Sequence, residues 1–412
     1  MKILFQQFDR NRKEIMDDFS DVCVIPEVSD GFDESLASDV PGMMPVSLCS
    51  EKVSFGIYAV HVVLEALEDV EELYLFTGRK QLREIVTLKK GQCLSRVYYL
   101  SVAEIIPRYY DSVYPVTRLF VTFCTEKPEC IRVHECTAQP AEDTVRIFLC
   151  GDSTVTDHSC EIPYHPGACY AGWGQDLLAF LTGEVTVENQ AHCGLTTESF
   201  RTEGHFELVR KHIHKNDFCL LQFAHNDQKL AHLMADRGYT DNLHAFLDEV
   251  RECGGRPVLV TPPGRNIWNA DGTYLELLDA YANAVKKLAE KTGTPWINLH
   301  EYSVKLIKKM GMKRSRDYFH PEDYTHTNEY GAYRLAGFLA KELEKLFPDR
   351  IHCKKEEKPF LFEPPADLWD SMNKTASRVA ASDQKEQFDR MEKSTSDLLE
   401  VIRAAKEEAF GK

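Results

Sequence analysis

The stretch 147-IFLCGDSTVTD-157 changes character halfway along. Ile147, Phe148, Leu149 and Cys150 suit a buried strand, and Gly151-Asp152-Ser153-Thr154 then ends the apolar run. Gly, Asp and Ser are all turn formers, so an ordinary turn is one reading. The other is a serine nucleophile presented at the carboxyl end of a core strand. The rest of the chain has to decide between them.

From about 144 to 348, strand-like runs alternate with helical ones. The strands are 145-VRIFLC-150, 185-VTVEN-189, 217-DFCLLQFA-224, 257-PVLVT-261 and 295-PWINL-299. In 240-TDNLHAFLDEVREC-253, Leu243, Phe246, Leu247 and Val250 form one helical stripe, and Gly254-Gly255 stops it. Thr273 and Glu276 read as a capping box. It would open a helix whose apolar face runs through Tyr274, Leu277, Leu278, Tyr281, Ala284, Val285 and Leu288. A last helix runs from about Glu329 through Leu346. Strands alternating with helices predict a five-stranded parallel sheet covered on both faces, an α/β/α domain. Ligands of such sheets bind beyond the strands' carboxyl ends, where Ser153 falls.

The flanks differ. Residues 1–140 are rich in short β-like runs, among them 53-VSFGIYAVHVVLEA-66, 72-ELYLFTG-78, 83-REIVTL-88, 96-RVYYLSV-102 and 117-TRLFVTF-123. In the first, Tyr58, Val60, Val62 and Leu64 alternate with Ile57, Ala59, His61 and Val63, as in a strand with one core face. Several such runs without a helical pattern predict a β-sandwich. Thr137 to Glu142, small or polar and holding Pro140, is the expected linker. Residues 354–412 begin extended, with Pro359 and Pro364-Pro365, and become helical. Phe388, Met391, Leu398, Ile402, Ala405 and Ala409 can share a face that packs on the chain's own body or on a second copy. That helix and the sandwich are the two surfaces for a homo-oligomer.

Composition narrows the function. The 412 residues, 43% hydrophobic, suffice for two or three domains with a sizeable core. A formal charge of -16 argues against nucleic acid and anionic membranes as main partners. No apolar run is long enough to span a bilayer. The charged N-terminal stretch does not read as a signal peptide, and the thirteen scattered cysteines read as free thiols. Together they lead to the expectation of a cytoplasmic protein without a metal site.

Acyl transfer needs a nucleophile, a base with an orienting group, and donors for the oxyanion. The strand ends supply each. Ser153 would attack and His326 would take its proton. Asp323 would hold the imidazole's other nitrogen. Backbone N–H groups of Ser153 and Gly194 and the Asn226 amide would meet the oxyanion; a glycine at 194 would admit close backbone approach. The Asp323-x-x-His326 spacing also suits metal ligands, but no third ligand stands out. Among the neighbours, Asp152 either tunes the site or caps the following turn, with Thr154 beside it. His225 suits a structural bond that steadies Asn226. Lys229 and Arg265 would meet a uronate carboxylate or stay solvated. Trp268 would stack on a sugar ring or pack its loop.

These blocks resemble the SGNH (GDSL-like) hydrolase superfamily, and most closely its rhamnogalacturonan acetylesterase branch. The resemblance rests on GDST at 151–154, GWGQ at 172–175, the Asn189-to-Phe200 loop, QFAHNDQK at 222–229, YTDNL at 239–243, VTPPGR at 260–265 and DYTHTNEYGA at 323–332. It implies a serine esterase, without cofactor, that removes acetyl groups from pectin-derived oligosaccharides. It assigns Ser153, Asp323 and His326 to the triad and Gly194 and Asn226 to the oxyanion hole. The front zone resembles the β-sandwich that precedes this domain in some bacterial relatives. Two positions depart from the family's habit: Ala224 stands where Gly is usual, and Leu195-Thr196-Thr197 where the loop usually begins with Arg and Ser. Two other readings remain. One is an esterase of the same family for xylan acetate, lipid or thioester; the other is an inactive carbohydrate-binding scaffold.

Overall fold

The computed structural model describes residues 2–8, 29–33, 41–107, 110–320, 323–355, 361–366, 368 and 383–411. Antiparallel strands build its front. The strands are β1 (Ile3–Gln7), β2 (Met44–Ser50), β3 (Gly56–Ala66), β4 (Val70–Thr77), β5 (Gln81–Leu88), β6 (Cys93–Val102), β7 (Phe120–Thr125) and β8 (Ile131–Pro140). They pair antiparallel in the order β5-β4-β7-β2-β1-β8-β3-β6. β1 joins the two halves by changing partner midway: Ile3 and Leu4 face β8, whereas Phe5 to Gln7 face β2. The halves then close over one core. Tyr58, Val60, Val62 and Leu64 of β3 meet Leu73, Leu75, Val121 and Phe123 from the other half. The expected linker is mostly strand instead. Thr137 to Pro140 pair with His61 to Tyr58, and buried Ala138 anchors them.

Beyond it lie β9 (Val145–Gly151), β10 (Val185–Asn189), β11 (Phe218–Gln222), β12 (Arg256–Val260) and β13 (Trp296–Ile297). They are parallel, in the order β10-β9-β11-β12-β13. The longer helices are α1 (His205–His212), α2 (Gly238–Glu252), α3 (Asp279–Thr292), α4 (Leu299–Ser315), α5 (Glu329–Leu346) and α6 (Asp383–Phe410). Successive side chains of β9 serve opposite layers. Ile147 and Leu149 pack with Leu335, Leu339 and Leu343 of α5. Phe148 and Cys150 pack with residues of α1, α2 and α3, including Val209, Phe246 and Val285. Each such Leu or Phe buried contributes about 1.5–3 kcal/mol before entropy is counted. Because β10 and β11 lie on opposite sides of β9, the chain leaves in both directions and a crevice opens at β9's end.

One helix boundary is corrected here. α3 begins at Asp279 and not at Thr273, because the Thr273 N–H and hydroxyl both bond to the Asp271 carboxylate in a turn. In α6, Ile402 and Ala405 are buried against the chain's own body, while the side chains of Phe388 and Met391 lie outside the described residues.

The turn between β4 and β5 enters the second domain. Gln81 Nε2 donates to Asp157 Oδ2 at 3.0 Å, and Arg79 Nη2 donates to the Asn189 carbonyl at 2.5 Å. Lys80, 2% exposed, places its ammonium 3.6 Å from Glu329 Oε1, on the first residue of α5. Beyond β11, Ala224 is fully buried with φ +128°, a region that favours glycine. Such strain costs on the order of 1–3 kcal/mol, more than glycine's added chain entropy. Ala224→Gly should therefore raise the melting temperature by about 2–4 °C in a calorimetric scan. An unchanged or lower value would show that the surrounding core absorbs the strain.

Candidate active site

The turn after β9 is held by close packing. A Cβ on Gly151 would lie 2.6 Å from both the Gln222 carbonyl and Val155 Cγ2, so only glycine lets the chain turn against β11. Asp152 turns inward. Its Oδ1 accepts from the Thr154 N–H at 2.9 Å and the Thr154 hydroxyl at 2.7 Å, and its Oδ2 lies 3.3 Å from His225 Nδ1. Burial works to raise its pKa, but the His225 charge and the Thr154 bonds prevail and hold it at about 2. Asp152 and Thr154 are thus buried bracing groups that do not line the cleft.

Ser153 Oγ donates to His326 Nε2 at 2.6 Å. His326 Nδ1–H donates to Asp323 Oδ2. Asp323 Oδ1 accepts from the N–H groups of Thr325 at 2.6 Å and His326 at 2.7 Å, so the turn orients its own carboxylate. Burial opposes the charge on Asp323, yet the His326 bond and these N–H groups keep its pKa at about 2. Asn328 caps α5 through Gly331 N–H, fixing where the histidine turn ends.

The Asn226 amide is held at both ends. Its Oδ1 accepts from Lys229 Nζ at 2.8 Å, and its Nδ2 donates one hydrogen to the Leu195 carbonyl at 3.0 Å. The second Nδ2 hydrogen faces no acceptor among the described residues. Neither do the backbone N–H groups of Ser153 and Gly194. Gly194 takes φ +83°, and a Cβ there would meet nothing within 4 Å. Glycine therefore suits the left-handed backbone at this position. His225 Nε2–H donates to the Pro263 carbonyl at 3.0 Å. Arg265, 3% exposed, donates to the His225 carbonyl at 2.9 Å and to Thr325 Oγ1, tying the asparagine turn to the histidine turn. Burial pushes its pKa down to about 10. Trp268 is elsewhere: it donates to Asn266 Oδ1 at 2.8 Å and meets Tyr274 edge-on at 5.6 Å, packing its loop.

Ser153, His225, Asn226, Lys229, Arg265, Asp323 and His326 line one cleft of about 350 Å³, and residues of α6 line the same cleft. Four neighbours were not found from the sequence. Tyr170 stacks on His320 at 3.5 Å and meets His326 edge-on at 5.4 Å. His158 Nε2–H donates to the Ser153 carbonyl at 2.7 Å. Asp227, fully buried, accepts from Thr197 N–H at 2.8 Å and Thr197 Oγ1 at 2.6 Å, so it fixes the loop that follows Gly194. A hydroxyl hydrogen-bonded to an imidazole that is itself held by a carboxylate is arranged to pass its proton to that imidazole.

Residues 149–328 match the GDSL-like lipase/acylhydrolase family. The chain is 35% identical over 227 residues to the rhamnogalacturonan acetylesterase RhgT of Bacillus subtilis, covering 52% of this chain and 96% of that protein. It is 29% identical over 208 residues to the probable rhamnogalacturonan acetylesterase YesY of the same species, covering 48% and 93%. A rhamnogalacturonan acetylesterase of Emericella nidulans is 23% identical over 220 residues, covering 47% and 83%.

Burial raises the pKa of Asp227 to about 7, against the bonds from Thr197. An unfolded aspartate loses its proton near 3.9, so between that pH and about 7 the folded state binds more protons and this group makes stability fall as pH rises. Asp227→Asn keeps the acceptor oxygen and removes the titration. Its melting temperature should match the wild type below about pH 4 and exceed it increasingly toward pH 7. A difference that does not change with pH would overturn the assignment.

Proposed function

Because the chain belongs to the GDSL-like lipase/acylhydrolase family, we propose that it is a serine esterase that removes O-acetyl groups from pectic, rhamnogalacturonan-type oligosaccharides. The observation that carries this reading is the line from Ser153 Oγ through His326 to the Asp323 carboxylate. Ser153 Oγ attacks the acetyl carbonyl while its proton passes to His326 Nε2. Asp323 holds the imidazole in that tautomer and offsets the imidazolium charge. The N–H groups of Ser153 and Gly194 and the Asn226 amide receive the oxyanion. His326 then gives that proton to the departing sugar oxygen as its bond to the acetyl carbon breaks, and the sugar leaves with a free hydroxyl. Water, deprotonated by the same nitrogen, attacks the acetyl-enzyme; acetate leaves and Ser153 recovers its proton.

The cleft favours sugar over lipid. Beside the triad its lining carries Asn226 and Lys229, and its apolar part is limited to a few side chains such as Ile267, Leu398 and Val401, whereas an acyl-chain enzyme needs a broad apolar pocket. The named activities of the relatives support an acetyl ester of a carbohydrate, and the 35% identity supports the pectic choice. Lys229 holds Asn226 Oδ1 and Arg265 bridges two turns, so both serve the site's shape first; their place in the cleft still allows contact with a uronate. The described cysteines are free thiols, which supports a reducing compartment. No described helix is long and apolar enough to cross a membrane.

Acetate release from acetylated rhamnogalacturonan oligosaccharides should fall on the order of 10⁶-fold in Ser153→Ala. Asp323→Asn should lose about 10⁴-fold, and Asn226→Ala about 10²–10³-fold in kcat. If acetylated xylo-oligosaccharides are cleaved faster than the pectic ones, the substrate choice fails and the esterase stands. A preference for p-nitrophenyl octanoate over p-nitrophenyl acetate would replace the acetylesterase with an acyl-chain enzyme.

A further inference from the structure

One wall of the catalytic cleft comes from outside the domain that carries the triad. Thr395, Leu398 and Val401 of α6 line the same cavity of about 350 Å³ as Ser153 and His326, with Ser394 and Asp397 beside them. Positions 394, 398 and 401 recur at one-turn spacing, so one stripe of the helix faces the catalytic residues. The family match ends at residue 328, well before this helix begins at Asp383.

A neighbouring stripe fixes the helix in place. Ile402 and Ala405 are buried. Arg237 Nη1 donates to the Ala409 carbonyl at 3.0 Å, and its guanidinium lies 4.7 Å from the centre of the Phe410 ring. The helix rests on the two short turns Asp227–Lys229 and Ala231–Leu233 that follow Asn226. The helix is thus seated on the turns that follow the oxyanion asparagine, its end is held by Arg237, and its residues 394–401 line the cleft.

We propose that α6 is the specificity wall of this cleft and limits the length of the acetylated saccharide that can reach Ser153. The inference rests on the esterase reading above. Leu398 and Val401 offer carbon surface to the face of a sugar ring, and Val401 keeps 46% of its surface exposed for that contact. Ser394, Thr395 and Asp397 offer bonds to its hydroxyls. A cleft of about 350 Å³ is near the small end of the range for ligand sites. It holds a short chain end, while an acetyl group inside a long polymer would bring residues on both sides against the helix.

The test uses the full chain and acetylated oligosaccharides of graded length from both rhamnogalacturonan and xylan, with p-nitrophenyl acetate as the smallest ester. In Leu398→Ala/Val401→Ala, kcat/KM for the longest substrates relative to the shortest should rise at least fivefold. In Val401→Trp, a half-exposed position that accepts a larger side chain, oligosaccharide cleavage should fall at least tenfold more than p-nitrophenyl acetate cleavage. Arg237→Ala, which frees the anchored end, should shift the length profile the same way as the double alanine variant. A length profile that stays as in the wild type, or an equal loss on every ester, overturns the proposal, since a purely stabilising helix would give one or the other. A wild type that cleaves no ester overturns the esterase reading and this one with it.

Discussion

A hydrogen bond of 2.6 Å between Ser153 Oγ and His326 Nε2 joins positions 173 residues apart. Proton transfer tolerates little error in that distance, so both ends need rigid supports. The serine end rests on β9, buried on both faces, and on a turn that Gly151 lets press against β11. The histidine end rests on the first turn of α5, whose leucines pack under the same strand. Ile147 and Leu149 thus touch the helix that carries the base, while Phe148 and Cys150 touch the other layer. The sheet sets the distance because one strand is common to both supports.

The bracing continues in buried polar groups. Asp152 ties its own turn to His225, and Arg265 carries that link to Thr325 beside the catalytic histidine. Asp227 does the same for the loop after Gly194. These groups have little access to water, and each is held by hydrogen bonds to neighbouring turns, which offsets part of the cost of burying it. Several residues that look like ligand contacts in the sequence are therefore supports. Asp152 and Thr154 turn inward, Trp268 packs a loop, and Lys229 orients Asn226.

What was legible followed from local pattern. The five strands, the helices α2 and α5, and the blocks around Ser153, Asn226 and His326 each carry their signal within about ten residues. The Asp323 turn was legible because its acid and histidine are separated by only two positions. The linker was misplaced because Thr137 to Pro140 are small or polar, and only their pairing with β3 shows them to be strand. The start of α3 was misplaced because Thr273 bonds backward to Asp271. Tyr170, His158 and His320 reach the site from loops without periodicity, so no spacing announces them. Nor does any local feature announce that a lysine in a hairpin of the first domain will meet a glutamate that opens a helix of the second.

That lysine bears on how such a chain can change over evolutionary time. Lys80 is the cation facing Glu329, and Asp176, also buried, lies within reach of its charge; Arg79 and Gln81 reach Asp157 and Asn189. Recombination that replaced the front domain with an unrelated one would leave these acids dry and without a counter-charge, directly beneath the catalytic turns. Removing one partner of a buried pair costs about 3–5 kcal/mol, a large share of the stability of an ordinary domain. In this chain the front domain is therefore less an exchangeable module than a supplier of counter-charge to the core of the second.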